Sequence, residues 1–484
     1  MEKPGKTTPC AWLAGCVLAL LAPAAWAADA ADPASVPAGS MEVVARFDGP
    51  GPSGIAVTPG GRVFVGFPRH AENHAGMTLG EVVDGRLLPF PDAATSLPSR
   101  AAYAQWLVSV HGMTTDARGN LWVIDDGKRA GIDGIPDGAA KVVGFDPDTR
   151  RTIASVVLEA PALLQDSHMN DLRVDLSHGA RGTAYISDSS FGTAPALVVV
   201  DLASGRQRRV LGDHVSTRPE PGLLAILDGK PMRYDARAGH PLPSRSRRSC
   251  ARAGQGRGRK WTCVHARAMT QPRVRAGAAL RVGSAGPPAG AARLDLTASQ
   301  ARRHAAPPDG PADPTRPTRQ WMTGPSHPTF PVGGADAITL SADSQTLYYA
   351  PLTSRRLYSI PTAVLADFGN DEATLAAAVT DLGEKGFADG MATDPQGRLY
   401  ITDGEHDAIL RRWPDGRFDV VVRDPRIVWP DGIYATATHV YVTLGQWDRL
   451  PGFNQGRDLR QPPYLLVRAP IEPAPTLTAA TASP

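Results

Sequence analysis

Residues 389–403 read DGMATDPQGRLYITD, which is a polar residue, an apolar strand, a turn rich in Asp, Pro and Gly, and a second strand with an aromatic. Five other stretches of the chain share this layout, and a polar residue opens each of them. The six opening residues are Ser53, His111, Asn170, Asp336, Asp389 and Asp431, at intervals of 58, 59, 166, 53 and 42 residues. Such self-similarity is typical of repeat architectures. Because the repeated unit contains only short strands, the sequence predicts an all-β protein, a six-bladed β-propeller.

The strand pattern also predicts how the ring of blades closes. The last repeat offers only three strand candidates and ends with YLLVRAPI at residues 464–471, whereas the other units offer four. A strand-like run, MEVVARF at residues 41–47, stands before the first repeat. A propeller closes its ring and so protects its strand edges. We therefore predict that this N-terminal strand completes the last blade.

The long interval of 166 residues contains a segment of different composition, residues 241–330, rich in Arg, Pro and Gly. Residues 241–318 hold 15 Lys or Arg and three acidic residues, against 36 and 45 in the rest of the chain. Two interpretations fit: an irregular, disordered insertion between blades 3 and 4, or a stretch translated out of frame, which we favour because the repeat pattern stops abruptly. Residues 241–318 thus carry a net charge of +12 and the rest of the chain −9, which together give the net charge of +3. Because the positive charge is confined to this segment, we predict no nucleic-acid partner.

The N-terminus has the features of a secretory signal. Lys3 and Lys6 precede an apolar run, and AWA at residues 25–27 is a small-x-small cleavage sequence. LAGC at residues 13–16 also resembles a lipoprotein box, which would lipidate Cys16. No later stretch reaches the ~18 apolar residues of a membrane helix. We expect a monomer that is secreted or periplasmic and has no membrane span.

The predicted organisation follows from these boundaries. It consists of a signal peptide (1–27), a tether (28–40), blades 1–3 (41–240), the basic segment (241–330), blades 4–6 (331–471) and a disordered tail (472–484).

Several chemistries are excluded by what the blades lack. Cys10 and Cys16 leave with the signal, and Cys250 and Cys263 lie in the basic segment. A disulfide framework, a thiolate metal site and a cysteine nucleophile are therefore excluded from the predicted blades. The sequence has no glycine-rich phosphate loop and no G-x-S-x-G motif, so we expect neither a nucleotide cofactor nor a serine hydrolase.

The opening residues of the repeats are the candidate functional site. First strands line the channel of a propeller, so residues in the same register converge on its axis. Three carboxylates in such a cavity repel one another unless a cation neutralises them. Asn170, Asp336, Asp389 and Asp431 are therefore candidate ligands for Ca²⁺, with Mg²⁺ as second choice. The alternative is that these Asp and Asn residues only bond backbone N–H groups at strand ends.

Other polar residues are assigned a structural part. We expect His111 to be a hydrogen-bonding channel residue rather than a metal ligand. Asp116, Asp175 and Asp394 are assigned to turns. His70 and His74 are too sparse to indicate a metal site.

Long motifs give the chain a family resemblance. They include WLVSVHGMTTDARGNLWVIDDG (106–127), HMNDLRVD (168–175) and DGMATDPQGRLYITDGEHDAI (389–409). The chain resembles a bacterial member of the major royal jelly protein and Yellow family. This resemblance implies a secreted six-bladed propeller. Insect members of the family are linked to pigment chemistry on catechol-derived quinones, and others bind amines or sterols.

A weaker resemblance concerns the opening residues alone. Calcium-dependent gluconolactonases are also six-bladed, and Asn170 and Asp389 resemble their metal-binding Asn and catalytic Asp. Ser53 stands where those proteins have a Glu, and Asp336 stands where an Asn is usual, so a calcium site here would be altered.

Three functions compete, and the sequence leaves open whether the protein is an enzyme. The first is a ligand-binding or tautomerising propeller, with His111, Asp389 and Asp431 as catalytic candidates and Ser53, Trp106 and Trp429 as ligand contacts. The second is a metal-dependent lactonase or esterase, in which the ion polarises a carbonyl and one Asp activates water. The third is a non-catalytic binding scaffold.

Overall fold

The computed structural model describes residues 37–190, 194–233, 332–454 and 456–471, and these form a six-bladed β-propeller, as predicted. Each blade is a four-stranded antiparallel sheet, and a two-stranded hairpin lies outside the blades. The predicted signal peptide with Cys16, most of the tether, the segment 241–330 and the tail 472–484 lie outside the described residues. Among the described helices, none has the length and apolar character needed to cross a bilayer.

The first three blades and the hairpin follow one another along the chain. In chain order the strands are β1 (Glu42–Phe47); β2 (Ile55–Val57), β3 (Val63–Gly66), β4 (Leu79–Val83) and β5 (Arg86–Pro89) of blade 1; β6 (Val110–Thr115), β7 (Leu121–Asp125), β8 (Lys141–Phe145) and β9 (Thr152–Val157) of blade 2; β10 (Met169–Asp175), β11 (Thr183–Asp188), β12 (Ala196–Asp201) and β13 (Gln207–Val210) of blade 3; and β14 (Leu224–Leu227) and β15 (Lys230–Arg233) of the hairpin.

The last three blades and the short helices complete the described chain. The strands are β16 (Ala335–Leu340), β17 (Thr346–Pro351), β18 (Arg356–Pro361) and β19 (Thr380–Glu384) of blade 4; β20 (Met391–Thr393), β21 (Leu399–Asp403), β22 (Ala408–Arg412) and β23 (Phe418–Arg423) of blade 5; and β24 (Pro430–Ala435), β25 (His439–Leu444) and β26 (Tyr464–Pro470) of blade 6. The helices are α1 (Ala93–Ser96), α2 (Thr362–Ala366) and α3 (Glu372–Ala378), with 3₁₀ turns at Tyr103–Gln105, Trp447–Arg449 and Pro451–Phe453.

The ring closes through the N-terminal strand, which confirms the prediction. Strand β1 pairs antiparallel with β26, so blade 6 has the order β24-β25-β26-β1. Phe47 of β1 is buried and its ring meets Phe67 of blade 1 edge-on, with the centroids 5.2 Å apart. The same apolar cluster includes Ile55 of β2 and Tyr464 of β26. The closing strand therefore contributes to the core shared by the last and first blades.

The polar turn residues have the structural part that was expected of them. Asp394 accepts backbone N–H bonds from Gln396 (2.9 Å) and Arg398 (3.0 Å), and it also accepts the Tyr400 hydroxyl (3.0 Å). Asp116 does the same in blade 2, where the indole N–H of Trp122 donates to it at 2.9 Å. These acids fix the turn between the two inner strands, so each blade presents its first strand to the axis in a defined position.

Replacing Phe47 with Ala is expected to lower the free energy of unfolding by about 3 kcal/mol, because it leaves a cavity in the core that joins the last blade to the first. Glu42→Ala on the same strand is the control, since Glu42 forms only an exposed ion pair with Arg468, worth at most ~1 kcal/mol. Urea unfolding measures both variants. Equal stability of the two would contradict closure of the ring by β1.

Candidate functional site at the propeller axis

Breaks in strand register present the opening residues of the repeats to the axis. The first strands lose register between Val110 and Met113, Met169 and Leu172, Ala335 and Ile338, and Pro430 and Ile433. A β-bulge of this kind leaves residues unpaired and redirects their side chains, often beside a functional site. The residues inside these four breaks include His111, Asn170, Asp336 and Asp431.

Glycines let neighbouring first strands come very close at the axis. A Cβ added to Gly390 would lie 2.2 Å from the backbone oxygen of Asp431, which opens the next blade. A Cβ added to Gly432 would lie 2.2 Å from the backbone oxygen of Ser53, and one added to Gly54 would lie 2.1 Å from that of His111. Real Cβ atoms do not tolerate such distances, so these positions require glycine. In these repeats the glycine is therefore required by the packing of the strands at the axis, whereas the residue before it supplies the polar side chain.

One cavity of about 30 Å³ lies where the opening side chains converge, and its walls carry five of the six. These five are His111, Asn170, Asp336, Asp389 and Asp431, and Trp429 lies beside them. Ser53 is buried next to the wall, with its Oγ 3.4 Å from Nδ1 of His111. The structure thus brings together every predicted site residue except Trp106.

Trp106 lies away from the cavity, which corrects the expectation that it offers a stacking surface there. Its ring is 2% exposed and belongs to the core between blades 2 and 3, with Ile124 and Leu172. Its indole N–H donates to the backbone oxygen of Ala101 at 3.3 Å. Although it stands only five residues before His111, its side chain packs into this core and is not part of the cavity wall.

Three histidines from blades 1–3 form one side of the cavity: His70, His111 and His168. One ring nitrogen of each lies within 4.8 Å of the other two. Among the described residues, this is the group of His, Cys, Asp and Glu side chains that lie close enough to share a metal ion. Burial lowers the pKa of His111 and of His168 to about 3. Both rings are therefore neutral at physiological pH.

A buried carboxyl group stands behind two of these rings. Asp126 follows β7, and its Oδ2 lies 3.2 Å from Nδ1 of His168 and 3.8 Å from Nδ1 of His70. Its other oxygen accepts the backbone N–H of Lys128 at 2.9 Å. Burial raises the pKa of Asp126 to about 7. The wall that carries the histidines thus includes an acid that is only partly ionised at neutral pH.

The opposite side carries the carboxyl groups of blades 4–6. The indole N–H of Trp429 donates to Oδ2 of Asp389 at 2.5 Å, and that of Trp447 donates to Oδ2 of Asp431 at 2.6 Å. Burial, with repulsion from the Asp389 carboxylate, raises the pKa of Asp336 and of Asp431 well above its usual range. Burial raises the pKa of Asp389 to about 6, opposed by a hydrogen bond from the Asp336 carboxyl. Asp336 therefore keeps its proton to higher pH than Asp389 does.

Strained backbone accompanies the two tryptophans. Trp429 has φ 48°, and Gln446, directly before Trp447, has φ 54°. Non-glycine residues seldom adopt this left-handed conformation, and it is concentrated at functional sites. Trp429 is only 7% exposed. In this backbone conformation its indole N–H reaches Asp389.

Sequence reasoning missed His70, His168, Asp126 and Trp447. His70 was judged too sparse for a metal site, but the loop after β3 returns it to the axis. His168 stands two residues before Asn170 in HMND, and this proximity to an opening residue was the available signal. Asp126 and Trp447 follow second strands of their blades, so they lie outside the repeated position that guided the prediction.

Comparisons with known proteins place the chain in a family. The model of the major royal jelly protein family matches residues 108–230 and 315–444. A search of curated proteins gave no match. Similar solved structures include virginiamycin B lyase from Staphylococcus aureus, with 10% identity, a TM-score of 0.40 and coverage of 90% of this chain and 100% of that chain.

Two further similar structures come from other bacteria. A gluconolactonase from Xanthomonas campestris has 10% identity and a TM-score of 0.40, over 90% of this chain and 90% of that chain. A calcium-binding regucalcin from Agrobacterium tumefaciens has 12% identity and a TM-score of 0.41, over 89% of this chain and 93% of that chain.

The raised pKa of Asp389 predicts how stability depends on pH. A carboxyl group that binds its proton more tightly in the folded state stabilises the fold at low pH, and this contribution is lost as pH rises through about 6. Asp389→Asn removes the ionisation and keeps an oxygen for Trp429. We expect the variant to exceed the natural protein in unfolding free energy by about 2 kcal/mol at pH 8, and to match it near pH 4.

Urea unfolding between pH 4 and pH 8 in the presence of a chelator measures this difference. The exposed Asp137 provides the control, because Asp137→Asn should leave the pH profile unchanged. Parallel profiles for Asp389→Asn and the natural protein would show that Asp389 does not titrate as described.

Proposed function

The chain belongs to the major royal jelly protein family, and from the chemistry of its axial cavity we propose that it binds a small ligand there and transfers a proton on it, as in the tautomerisation of a catechol-derived quinone. The observation that carries this proposal is that Asp336 and Asp389 line the same buried cavity, where burial raises the pKa of both and the Asp389 charge raises that of Asp336 further. Tautomerisation needs one group to remove a proton and a second to return one to another atom of the ligand.

The pair is suited to that reaction by its pKa values. Asp389, with a pKa of about 6, is largely ionised at neutral pH and still close enough to the working pH to exchange protons efficiently. Asp336 retains its proton because burial and the Asp389 charge oppose its ionisation. Asp389 is the proposed base and Asp336 the proposed acid, and two such groups with separated pKa values are the usual arrangement in acid–base catalysis.

The remaining predicted residues have supporting roles in this proposal. Trp429 fixes one oxygen of Asp389 through its indole N–H. His111 is neutral at physiological pH, so it acts as a hydrogen-bonding partner of the ligand rather than as a proton-carrying imidazolium. Ser53 in turn orients the His111 ring.

The size of the cavity determines which part of the ligand enters it. A volume of about 30 Å³ holds only a few water molecules and is far below the ~150 Å³ of a cavity that binds benzene. It accepts a hydroxyl, a carbonyl or an ammonium group, whereas an aromatic ring stays outside the cavity. The carboxyl groups of Asp336, Asp389 and Asp431 favour a head group that donates hydrogen bonds or carries positive charge. A catechol amine has both kinds of group.

A second candidate function is a calcium-dependent lactonase or esterase. Its specific support is Oδ1 of Asp336, a buried oxygen without a hydrogen-bond partner in the described part of the chain. Asn170, Asp389 and Asp431 would supply further oxygen ligands, the type that Ca²⁺ and then Mg²⁺ prefer. The ion would polarise the ligand carbonyl. One oxygen each of Asp389 and Asp431 already accepts an indole N–H, so only their other oxygens remain for a metal.

A substrate panel separates these functions. We expect the protein to accelerate the decay of dopachrome, followed by its visible absorbance, and Asp389→Asn to lower kcat/KM at least ~100-fold, the usual contribution of a general base. The exposed Asp415 is the control position, and Asp415→Asn should retain full activity.

The same panel contains lactones with and without added Ca²⁺. Hydrolysis that depends on Ca²⁺, without any effect on dopachrome, would replace the first function with the second. Binding of a catechol amine in calorimetry without turnover of any substrate would leave a non-catalytic scaffold.

Export is a further part of the proposal, and its support is the N-terminal sequence. Cleavage after Ala27 would release a mature chain that begins at Ala28. Mass spectrometry of the protein purified from the periplasm or the medium should find that N-terminus. An uncleaved chain in the cytoplasm would contradict export, and a lipidated Cys16 would show that LAGC is the processing site. Native mass spectrometry of the same sample should give a monomer.

A further inference from the structure

We propose that His70, His111 and His168 bind a divalent transition-metal ion of the Zn²⁺ or Co²⁺ type, on the opposite side of the axial cavity from the carboxyl groups. This site goes beyond the proposed function, because binding of the ion requires neither Asp389 nor a substrate.

Convergence of the three imidazoles is the first argument. One nitrogen from each ring lies within 4.8 Å of the other two, and the ring centroids are 5.1 Å apart for His70–His111, 4.6 Å for His70–His168 and 4.8 Å for His111–His168. Three nitrogens at ~2.1 Å from a tetrahedral ion are about 3.4 Å apart. Small side-chain rotations therefore bring the three nitrogens to coordination distance.

Rigid backbone holds the three residues. The carbonyl oxygen of His111 accepts the N–H of Gly54 at 3.0 Å, and the N–H of His168 donates to Oδ1 of Asp188 at 2.8 Å. The residue before His70 is Arg69, which is fully buried and whose N–H donates to Oγ of Ser109 at 2.8 Å. Each histidine comes from a different blade, so the folded ring itself assembles the site, and little entropy remains to be lost on binding.

The Asp126 carboxyl supplies the charge that a dication needs. Its Oδ2 lies 3.2 Å from a nitrogen of His168 and 3.8 Å from one of His70, and this oxygen has no hydrogen-bond partner within the described residues. A carboxylate beside ligating histidines orients the rings and raises their basicity. When it is ionised, Asp126 therefore adds a negative charge beside three rings that are otherwise neutral.

Ligand type separates this site from the calcium site of the second candidate function. Imidazole suits Zn²⁺, Co²⁺, Fe²⁺ and Cu²⁺, whereas Ca²⁺ selects oxygen. The two sides of one cavity thus prefer different ions, and selectivity follows from which blades contribute the side chains.

Three protein ligands leave a fourth position open, which is the arrangement of catalytic rather than structural zinc sites. The histidines line the same cavity as Asp336, Asp389 and Asp431. If the proposed function holds, the open position would receive a deprotonated hydroxyl or carbonyl oxygen of the ligand, with the acid–base pair across the cavity from it. The implied ligands are catechols, enediols and hydroxy-carbonyl compounds.

The test uses the full-length protein, treated with a chelator and then titrated with Co²⁺ in the absence of substrate. We expect one equivalent to bind and to give the intense visible bands of tetrahedral Co²⁺, with Zn²⁺ displacing it and Ca²⁺ failing to do so. His168→Gln and His70→Gln should each weaken binding by at least ~100-fold, and Asp126→Asn by roughly 10–100-fold.

His74→Gln is the matched control, because His74 lies in the same loop as His70 but its Nε2 contacts the backbone oxygen of Phe67 at 3.1 Å. It should bind Co²⁺ like the natural protein. Circular dichroism verifies that each variant is folded, and His70 provides a second variant if His168→Gln does not fold. Absence of stoichiometric tetrahedral Co²⁺ in the natural protein, or equal weakening by His74→Gln, would overturn the proposal.

Failure of the proposed function gives a different result. Asp389→Asn should lose tautomerisation and retain Co²⁺ binding. Conversely, a natural protein that turns over dopachrome after chelation and shows no Co²⁺ bands would keep the proposed function and remove the metal site.

Discussion

The close approach of the first strands at the axis is the constraint on which the site depends. Gly54, Gly390 and Gly432 lie against the backbone oxygen of the residue that opens the next blade, at distances that no Cβ allows. Side chains that open neighbouring blades are therefore forced to share one small volume. A cavity of about 30 Å³ holds at most a few water molecules. Its electrostatics consequently follow from burial more than from any single pair of charges.

Burial acts in opposite directions on the two sides of this cavity. It disfavours whichever form is charged, so it lowers the pKa of His111 and His168 and raises the pKa of Asp336 and Asp431. The same cause thus produces neutral imidazoles from blades 1–3 and protonated carboxyl groups from blades 4 and 6. Asp389 retains more solvent contact than the other two acids, and with a pKa of about 6 it is the group whose proton is most readily exchanged.

The repeat pattern predicted both the fold and the site residues that open the repeats, and one physical reason explains both. Residues in one register of a propeller meet at the axis, so the opening residues, together with the six blades and the closing strand, were visible in the sequence. His70 and His168 were not, because His70 reaches the axis from a loop after β3 and His168 lies two residues before the register position of Asn170. Trp106 was misplaced by the opposite error: it is close to His111 along the chain, but its side chain packs into the core between blades 2 and 3. Sequence spacing predicts contacts only between residues at the repeated positions. The contacts of a loop depend on how it packs in three dimensions, which the repeat pattern does not show.

Blades 1–3 supply imidazole nitrogens to the cavity and blades 4–6 supply carboxyl oxygens, and this division affects which cation the cavity can bind. A cation held only by carboxylates would be a hard ion, and it would compete with the proton that Asp336 holds. A cation held by the three imidazoles leaves that proton in place, since neutral nitrogen ligands do not require the acids to ionise. Trp429 and Trp447 support this division, because each donates its indole N–H to a carboxylate oxygen and so occupies a position that a metal ion on that side would need. The strained backbone at Trp429 costs of order 1–3 kcal/mol, and the indole N–H of Trp429 engages one oxygen of Asp389. An acid limited in this way is better suited to exchanging a proton with a ligand than to chelating an ion.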